Sequence, residues 1–185
     1  MSGRREDGAM RRWLVAAFCL LSIGAPLLIA QGPNHVFDKR VDFSRYRTYQ
    51  WVSFPNAMNI GELTEGQLKG TLQVTLATKG LARAQSNAPD LYIACEIVAT
   101  DPRDTRAFAV TWPDGSRLPG VAGVDGKEVQ VRGGDLVLDF YDAEKKQLVW
   151  RGVVARPIDL DGKPASRQKQ LDRAAEKLLK HYPPD

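Results

Sequence analysis

The chain has 185 residues, with 26 lysines and arginines against 22 aspartates and glutamates, and a formal net charge of +4. Its 43% hydrophobic and 26% charged residues are typical of a folded globular protein, and exclude a disordered, collagen-like, coiled-coil or disulfide-rich chain. Two cysteines and two histidines leave little material for a metal cluster or a redox pair, so we expect no metal and no cofactor.

Residues 1–30 have the layout of a secretory signal peptide. Arg11 and Arg12 precede an uncharged apolar run, 13–30, and Pro26 interrupts this run shortly before it ends in a small residue. We therefore expect cleavage at the end of the run and export to the periplasm or envelope. Residues 31–185 then form a single domain.

One alternative is a retained membrane anchor, because 18 apolar residues reach the lower limit for spanning a bilayer. The sequence argues against lipidation, since Cys19 follows the bulky Phe18 inside the apolar run. Met10 is an alternative start that gives a more compact basic region.

Removal of the predicted signal changes the charge of the chain. Four arginines and two acids leave with it, so residues 31–185 keep 22 basic and 20 acidic side chains, a net charge of +2. Basic and acidic residues alternate along this part, which argues against a nucleic-acid partner. Cys95 remains as its single thiol, so no disulfide forms within it.

The first half of the domain predicts strands and then a helix. Residues 36–52 are rich in β-branched and aromatic side chains and predict one or two short strands, broken near 42–44. A helix is predicted at about 62–79, where a leucine recurs at every fourth position. Thr64 and Gln67 fit a capping box at its start, and Gly80 fits the residue after its end.

Two further strands are predicted beyond this helix. Apolar residues alternate on both faces of 90–100, which indicates a central strand covered on both sides, and residues 105–112 predict a partner strand. Pro113 and Gly115 predict a turn, and 113–127 predict the longest loop.

Residues 134–155 predict an antiparallel hairpin whose register follows from its alternation. Leu136, Leu138 and Phe140 share one face, and Leu148, Trp150 and Val154 share one face of the return strand. Pairing Phe140 with Trp150 keeps these sets together, and it places Asp139 opposite Arg151 and Tyr141 opposite Val149.

The last element is an amphipathic helix at about 166–182, which ends before two prolines. Strands, a helix, several consecutive strands and a second helix predict an α+β fold. We expect a mainly antiparallel sheet of about five to seven strands with two packed helices.

These segments together resemble the bacterial envelope family known as domain of unknown function 4136. The matching sequences are DFSRYRTYQW at 42–51, LATKGL at 76–81, PDLYIACEI at 89–97, LVLDFYDAEKKQLVWRG at 136–152 and HYPP at 181–184. The resemblance implies an exported α+β domain, in many members a lipoprotein, without an established activity or catalytic residues.

The residues offer no catalytic, cofactor-binding or metal site. His35 and His181 lie at the two ends of the domain, and Cys95 is in line with apolar neighbours, which predicts a buried thiol. The one constellation of interest is the second face of the hairpin, where Asp139, Tyr141 and Arg151 lie among Val137, Val149 and Val153. It is either a structural ion pair, which we favour, or a binding groove that Tyr92, Glu96 and Trp112 would join.

The leading hypothesis is a non-enzymatic envelope module for binding or assembly, with a protein, a lipid or a cell-wall component as its partner. A hydrolase that uses two carboxyl groups is the first alternative. A membrane-tethered assembly partner with an uncleaved N-terminal anchor is the second.

Overall fold

The computed structural model describes residues 34–54, 58–98, 109–118, 123–155, 157–159 and 162–184. Every element below belongs to one compact unit, within Gly32–Asp185. The predicted signal peptide therefore lies outside the described residues. Within the described ranges, no helix has the length and apolarity needed to cross a membrane.

Two helices and a mixed sheet confirm the predicted α+β class. The elements are β1 His35–Phe37, a 3-10 turn Phe43–Arg45, β2 Thr48–Val52, α1 Glu62–Thr78, β3 Ala82–Arg83, β4 Leu91–Ile97, β5 Val110–Thr111, β6 Arg117–Leu118, β7 Gly123–Val124, β8 Lys127–Glu128, β9 Leu136–Asp142, β10 Gln147–Val154 and α2 Pro164–Leu179. Six strands form the main sheet in the order β1-β10-β9-β4-β2-β3; β2 runs parallel to β3 and β4, and the other pairs are antiparallel. Two small two-stranded sheets pair β5 with β6 and β7 with β8.

The main sheet is buried on both faces, as the alternation along β4 predicts. One face, the helix side, carries the larger core, in which the leucines of α1 and the apolar residues of α2 pack on β4, β9 and β10. The opposite face, the cover side, packs against side chains of the short strands and the segment after β8. These covering side chains are Val110, Trp112, Val124, Val129 and Val131.

Helix α1 has nearly the predicted bounds but a different N-terminal cap. Thr64 is buried inside the helix instead of capping it, because Gly61 supplies the cap with φ of 79° and its carbonyl accepts the first helical bond from Glu65 N, at 3.0 Å. The end is as predicted. Gly80 adopts φ of 82°, and the Leu81 N–H donates to Leu76 O at 3.1 Å, which closes a Schellman motif.

The β9–β10 hairpin has the predicted register at its centre, where Asp139 pairs with Arg151 and Phe140 with Trp150. The prediction for Tyr141 is wrong, because a β-bulge lies between Leu148 and Trp150, and Tyr141 pairs with Leu148. The extra residue, Val149, lies on the helix side beside Trp150, and Leu148 turns to the cover side. Since both residues are apolar, either orientation satisfies the hydrophobic pattern.

The structure bears on two other predictions for the second half of the chain. Half of the predicted partner strand, 105–108, lies outside the described residues; in the described half, β5 pairs with β6 in a separate small sheet, and Thr111 forms a bridge with Ser53. The region predicted as one long loop contains β6 and β7. The predicted turn before β6 is present, with Gly115 at φ of 79°.

Helix α2 begins at Pro164, in its first turn, and ends at Leu179, before the predicted limit. Tyr182, predicted as a helical residue, lies just beyond the end and is still buried. Its ring contacts Phe43, Phe140 and Trp150 at centroid distances of 6.0, 4.6 and 5.7 Å. The aromatic contacts hold the C-terminal segment against the sheet without continuing the helix.

Two glycine-to-alanine substitutions should have opposite effects on stability. A Cβ at Gly152 would overlap the fully buried ring of Trp150, so Gly152→Ala should lower the free energy of unfolding by about 1–3 kcal/mol. A Cβ at Gly66 meets nothing within 4 Å, so Gly66→Ala should raise it by about 1 kcal/mol. Urea denaturation of both variants measures the difference, and equal effects would contradict the packing described for Trp150.

Candidate functional site

The cover side of the sheet carries a cluster of charged and phenolic side chains, which we call the buried charge cluster: Glu96, Asp139, Tyr141 and Arg151. Strands β4, β9 and β10 are neighbours in the sheet and bring these residues together. Asp139 and Arg151 are 0% exposed, and Glu96 is 3% exposed. The residues that the sequence singled out therefore lie in the interior, beneath the short strands.

Asp139 and Arg151 form a bidentate ion pair. Arg151 Nε donates to Asp139 Oδ1 at 2.7 Å, and Arg151 Nη2 donates to Oδ2 at 2.6 Å. The Tyr141 hydroxyl donates to the same Oδ2 at 3.0 Å. Burial disfavours the charged guanidinium, but the attraction of Asp139 outweighs it, and the pKa of Arg151 is raised above its ordinary value. This geometry satisfies both carboxylate oxygens without solvent.

Glu96 lies in the same interior, and neither of its carboxyl oxygens has a hydrogen-bond partner. Burial raises the pKa of Glu96 from 4.5 to about 8; the negative charge of Asp139 adds to this effect and Arg151 opposes it. The side chain is therefore mainly neutral at pH 7. With Glu96 protonated, the charges of Asp139 and Arg151 balance each other.

Aromatic rings close the cluster on the cover side. Trp112 contacts Tyr92 at a centroid distance of 5.1 Å and meets Tyr141 edge-on at 5.3 Å. Both Tyr92 and Trp112 thus lie where the groove interpretation put them, whereas Val149 lies on the helix side because of the bulge. The arrangement is that of a packed polar core rather than an open cleft.

Other candidate groups have local partners or lie elsewhere. Asp142 accepts hydrogen bonds from Tyr46 Oη at 2.8 Å, Lys145 N at 2.9 Å and Arg45 Nη2 at 2.7 Å. Burial alone would raise the pKa of Asp142, but these donors lower it. Burial raises the pKa of the Cys95 thiol, which packs against the helix-side core.

The two histidines are neighbours in the structure although they lie far apart in the sequence. His35 and His181 stack with a centroid distance of 4.8 Å, away from the buried charge cluster. Burial and the neighbouring ring of His181 lower the pKa of His35. Over the described ranges, no group of three or more His, Cys, Asp or Glu residues is arranged to hold a metal ion.

The outer surface of α1 is a second feature that could bind another molecule, and our sequence analysis did not identify it. Leu63 and Val74 are 73% and 69% exposed, the most exposed large hydrophobic side chains in the described ranges. They belong to an outward row that we call the outer α1 stripe: Leu63, Gly66, Gly70, Val74 and Ala77. Beside it, α1 and α2 form an open groove lined by Gln67, Gly70, Thr71, Val74, Thr75, Gln168, Asp172 and Glu176. Members of this stripe follow one another at intervals of three or four residues, and this spacing could have predicted a second side of the helix from the sequence.

The Asp139–Arg151 pair should show strong energetic coupling. Removing one partner leaves the other charge buried and uncompensated, so Asp139→Ala and Arg151→Ala should each destabilise by about 3–5 kcal/mol. The double variant should lose much less than the sum of the two. A double-mutant cycle by urea denaturation measures the coupling, and the exposed pair of Lys146 and Asp114 serves as a control that should be nearly additive.

Glu96 should make the folded state less stable as the pH rises. Its pKa is higher in the folded state than in the unfolded chain, so the unfolded state loses its proton first, and stability falls between about pH 4.5 and 8. Glu96→Gln should remove this loss and raise the free energy of unfolding at pH 7 by about 3 kcal/mol. Denaturation curves from pH 5 to 9 measure it; an unchanged pH slope would contradict the burial of an ionisable Glu96.

Comparison with known families matches residues 33–184 to the Domain of unknown function (DUF4136). Among solved structures, a DUF4136 family protein from Bacteroides thetaiotaomicron is similar at 13% identity and a TM-score of 0.53, covering 80% of this chain and 94% of its own. The PelC dodecamer from Paraburkholderia phytofirmans gives 11% identity and a TM-score of 0.37, covering 79% and 98%. A search of curated proteins gave no significant match. The family match spans most of the chain, and the chain belongs to the DUF4136 family.

Proposed function

We propose that this protein is an exported, envelope-associated module that acts by binding or assembly and has no catalytic activity of its own. The basic start and the apolar run of residues 13–30 support export. The neutral balance of charges in residues 31–185 supports a partner other than nucleic acid.

The observation that carries the proposal is the outer α1 stripe. Helices on the surface of a globular protein usually turn an apolar face inward and a polar face outward. Helix α1 buries Leu68, Leu72 and Leu76 against the sheet, and it also presents Leu63 and Val74 to solvent on its opposite side. A helix that is apolar on two opposite sides is suited to pack on two surfaces, and the second surface belongs to a partner.

One observation favours the carboxylate hydrolase as a second candidate. Glu96 has the raised pKa that a general acid needs, and the charge of Asp139 acts on it. However, Asp139 is held on both oxygens by Arg151, and both acids are buried under the aromatic cover. The binding proposal therefore accounts better for the geometry. Hydrolysis of a cell-wall substrate that Glu96→Gln abolishes, in a variant that stays folded, would favour the hydrolase instead.

Export and anchoring can be tested on the native protein. We expect the chain recovered from the periplasmic fraction to begin at Gln31, as measured by intact-mass spectrometry and N-terminal peptide mapping. Recovery of the uncleaved chain in the membrane fraction would support the tethered alternative. Recovery in the cytoplasm would contradict export.

Binding through α1 can be tested by crosslinking in intact cells. A photoreactive amino acid at Val74 should give one reproducible adduct that mass spectrometry identifies as an envelope component. The same probe at Glu144, in the exposed turn between β9 and β10, is the matched control and should not give that adduct. Adding Leu63→Asp should remove the adduct by placing a charge on the stripe. Identical adducts from both positions would contradict a binding role for α1.

A further inference from the structure

The outer α1 stripe combines two large apolar side chains with two glycines between them. Leu63 and Val74 are separated by 11 residues, which corresponds to about 16 Å along a helix, or three turns. Gly66 and Gly70 lie between them, one turn apart. The stripe is therefore low in the middle and raised at both ends, a shape that admits the backbone of a crossing helix.

The glycines have no packing role within the described structure. A Cβ added at Gly66 or Gly70 meets nothing within 4 Å, and neither residue is among those with positive φ. Each costs the isolated helix about 1 kcal/mol relative to alanine. Since neither the backbone conformation nor internal packing requires glycine here, their small size is available for a close approach from outside.

The charges beside the stripe select the kind of partner. The α2 wall of the groove carries Asp172 and Glu176, and the lining residues include no lysine or arginine. Asp172 accepts a hydrogen bond from Gln168 Nε2 at 2.8 Å, which leaves its negative charge in place. Beyond the other flank, Lys69 is paired with Glu65. The groove therefore favours a positively charged partner over an anionic one.

We propose that the outer α1 stripe and its groove bind a cationic amphipathic helix of another protein, with the apolar side of that helix on Gly66 and Gly70 and its lysines or arginines at Asp172 and Glu176. This inference rests on the proposed binding function and specifies the partner. An anionic membrane surface is repelled by the same two carboxylates. A second copy in an antiparallel two-fold arrangement brings its own acidic wall against this one.

The probe is a fluorescent helical peptide of about 18 residues, with leucine and alanine on one side and lysine on the other. Its control is the same peptide with glutamate in place of lysine. In anisotropy titrations with the protein purified from the envelope, the lysine peptide should bind at least about tenfold more tightly at low salt, and high salt should reduce this advantage. Equal affinity for both peptides would overturn the charge argument.

Variants locate the binding on the molecule. Gly70→Leu fills the low part of the stripe and should weaken peptide binding at least about tenfold, while thermal unfolding shows that the fold is kept or stabilised. Lys177→Leu, on the opposite side of α2, is the matched control and should bind like the unmodified protein. The double change Asp172→Lys and Glu176→Lys should reverse the peptide preference. Normal binding by Gly70→Leu would overturn the proposed location.

Two further measurements examine the other occupants. Binding to anionic phosphatidylglycerol vesicles that Gly70→Leu abolishes would replace the helix with a lipid surface. A dimer in sedimentation velocity that Val74→Asp disrupts would replace it with a second copy.

The crosslinking and peptide experiments distinguish failure of this inference from failure of the proposed function. If the Val74 crosslink forms in cells but the lysine peptide does not bind, a cationic helix is the wrong partner and the binding function stands. If neither the crosslink nor the peptide complex forms, the proposed function is wrong as well.

Discussion

The bidentate contact between Asp139 and Arg151 is the constraint on which the rest of the sheet depends. An ion pair with no solvent exposure is stable only if its partners are fixed and neither can be left alone. This requires the β9–β10 register to be exact at that point, because a shift by one residue would turn the guanidinium toward the helix-side core. It also requires a cover over the sheet, which the short strands and Trp112 supply. The small sheets are thus needed to seal the ion pair, in addition to adding apolar contacts.

The carboxyl groups of this domain make its stability depend on pH in two opposite ways. Glu96 destabilises the folded state least while it is protonated, so the free energy of unfolding falls as the pH rises. The paired carboxylates behave in the opposite way. Burial alone would raise the pKa of Asp142, but hydrogen bonds from Lys145 N and Tyr46 and the charge of Arg45 together lower it. The hydrogen bond from Arg40 lowers the pKa of Asp38. The stability that these two carboxylates provide is lost as the pH falls. The domain should therefore be most stable in mildly acidic solution, between these two transitions.

Alternation of side chains predicted the central pairing of the sheet, because charge and hydrophobicity agreed there. Asp139 opposite Arg151 and Phe140 opposite Trp150 leave one satisfactory register. The bulge at Val149 was not predictable by the same reasoning, since Leu148 and Val149 are both apolar and the pattern reads equally well with either inside. The N-terminal cap of α1 was predicted wrongly, although the bounds of the helix were not. Thr64 has the right chemistry for a cap, but Gly61 occupies the cap position three residues earlier, and Thr64 is buried inside the helix.

The candidate sites differ in how much of each was visible in the sequence. Glu96 could be placed on the cover side by counting along β4, but its lack of a partner depends on which strands lie beside it. The order β10-β9-β4 puts Asp139 in the strand next to Glu96, and no local pattern specifies that order. The members of the outer α1 stripe recur every three or four residues, which is a helical spacing. The leucines of the inner side recur with the same period and account for the helix on their own, so the second apolar side was not predicted.

The composition of α1 departs from what folding alone favours. Alanine at Gly66 and Gly70 would strengthen the helix without any steric conflict in the described structure, and a polar residue at Leu63 or Val74 would improve solubility. Each of these four positions thus departs from what the isolated fold favours. Random departures would be scattered around the helix, whereas these lie on one outward side beside a groove with an acidic wall. Local choices that oppose stability and coincide in space are expected at functional surfaces. In the Asp139–Arg151 pair, by contrast, burial, pairing and strand register support one another.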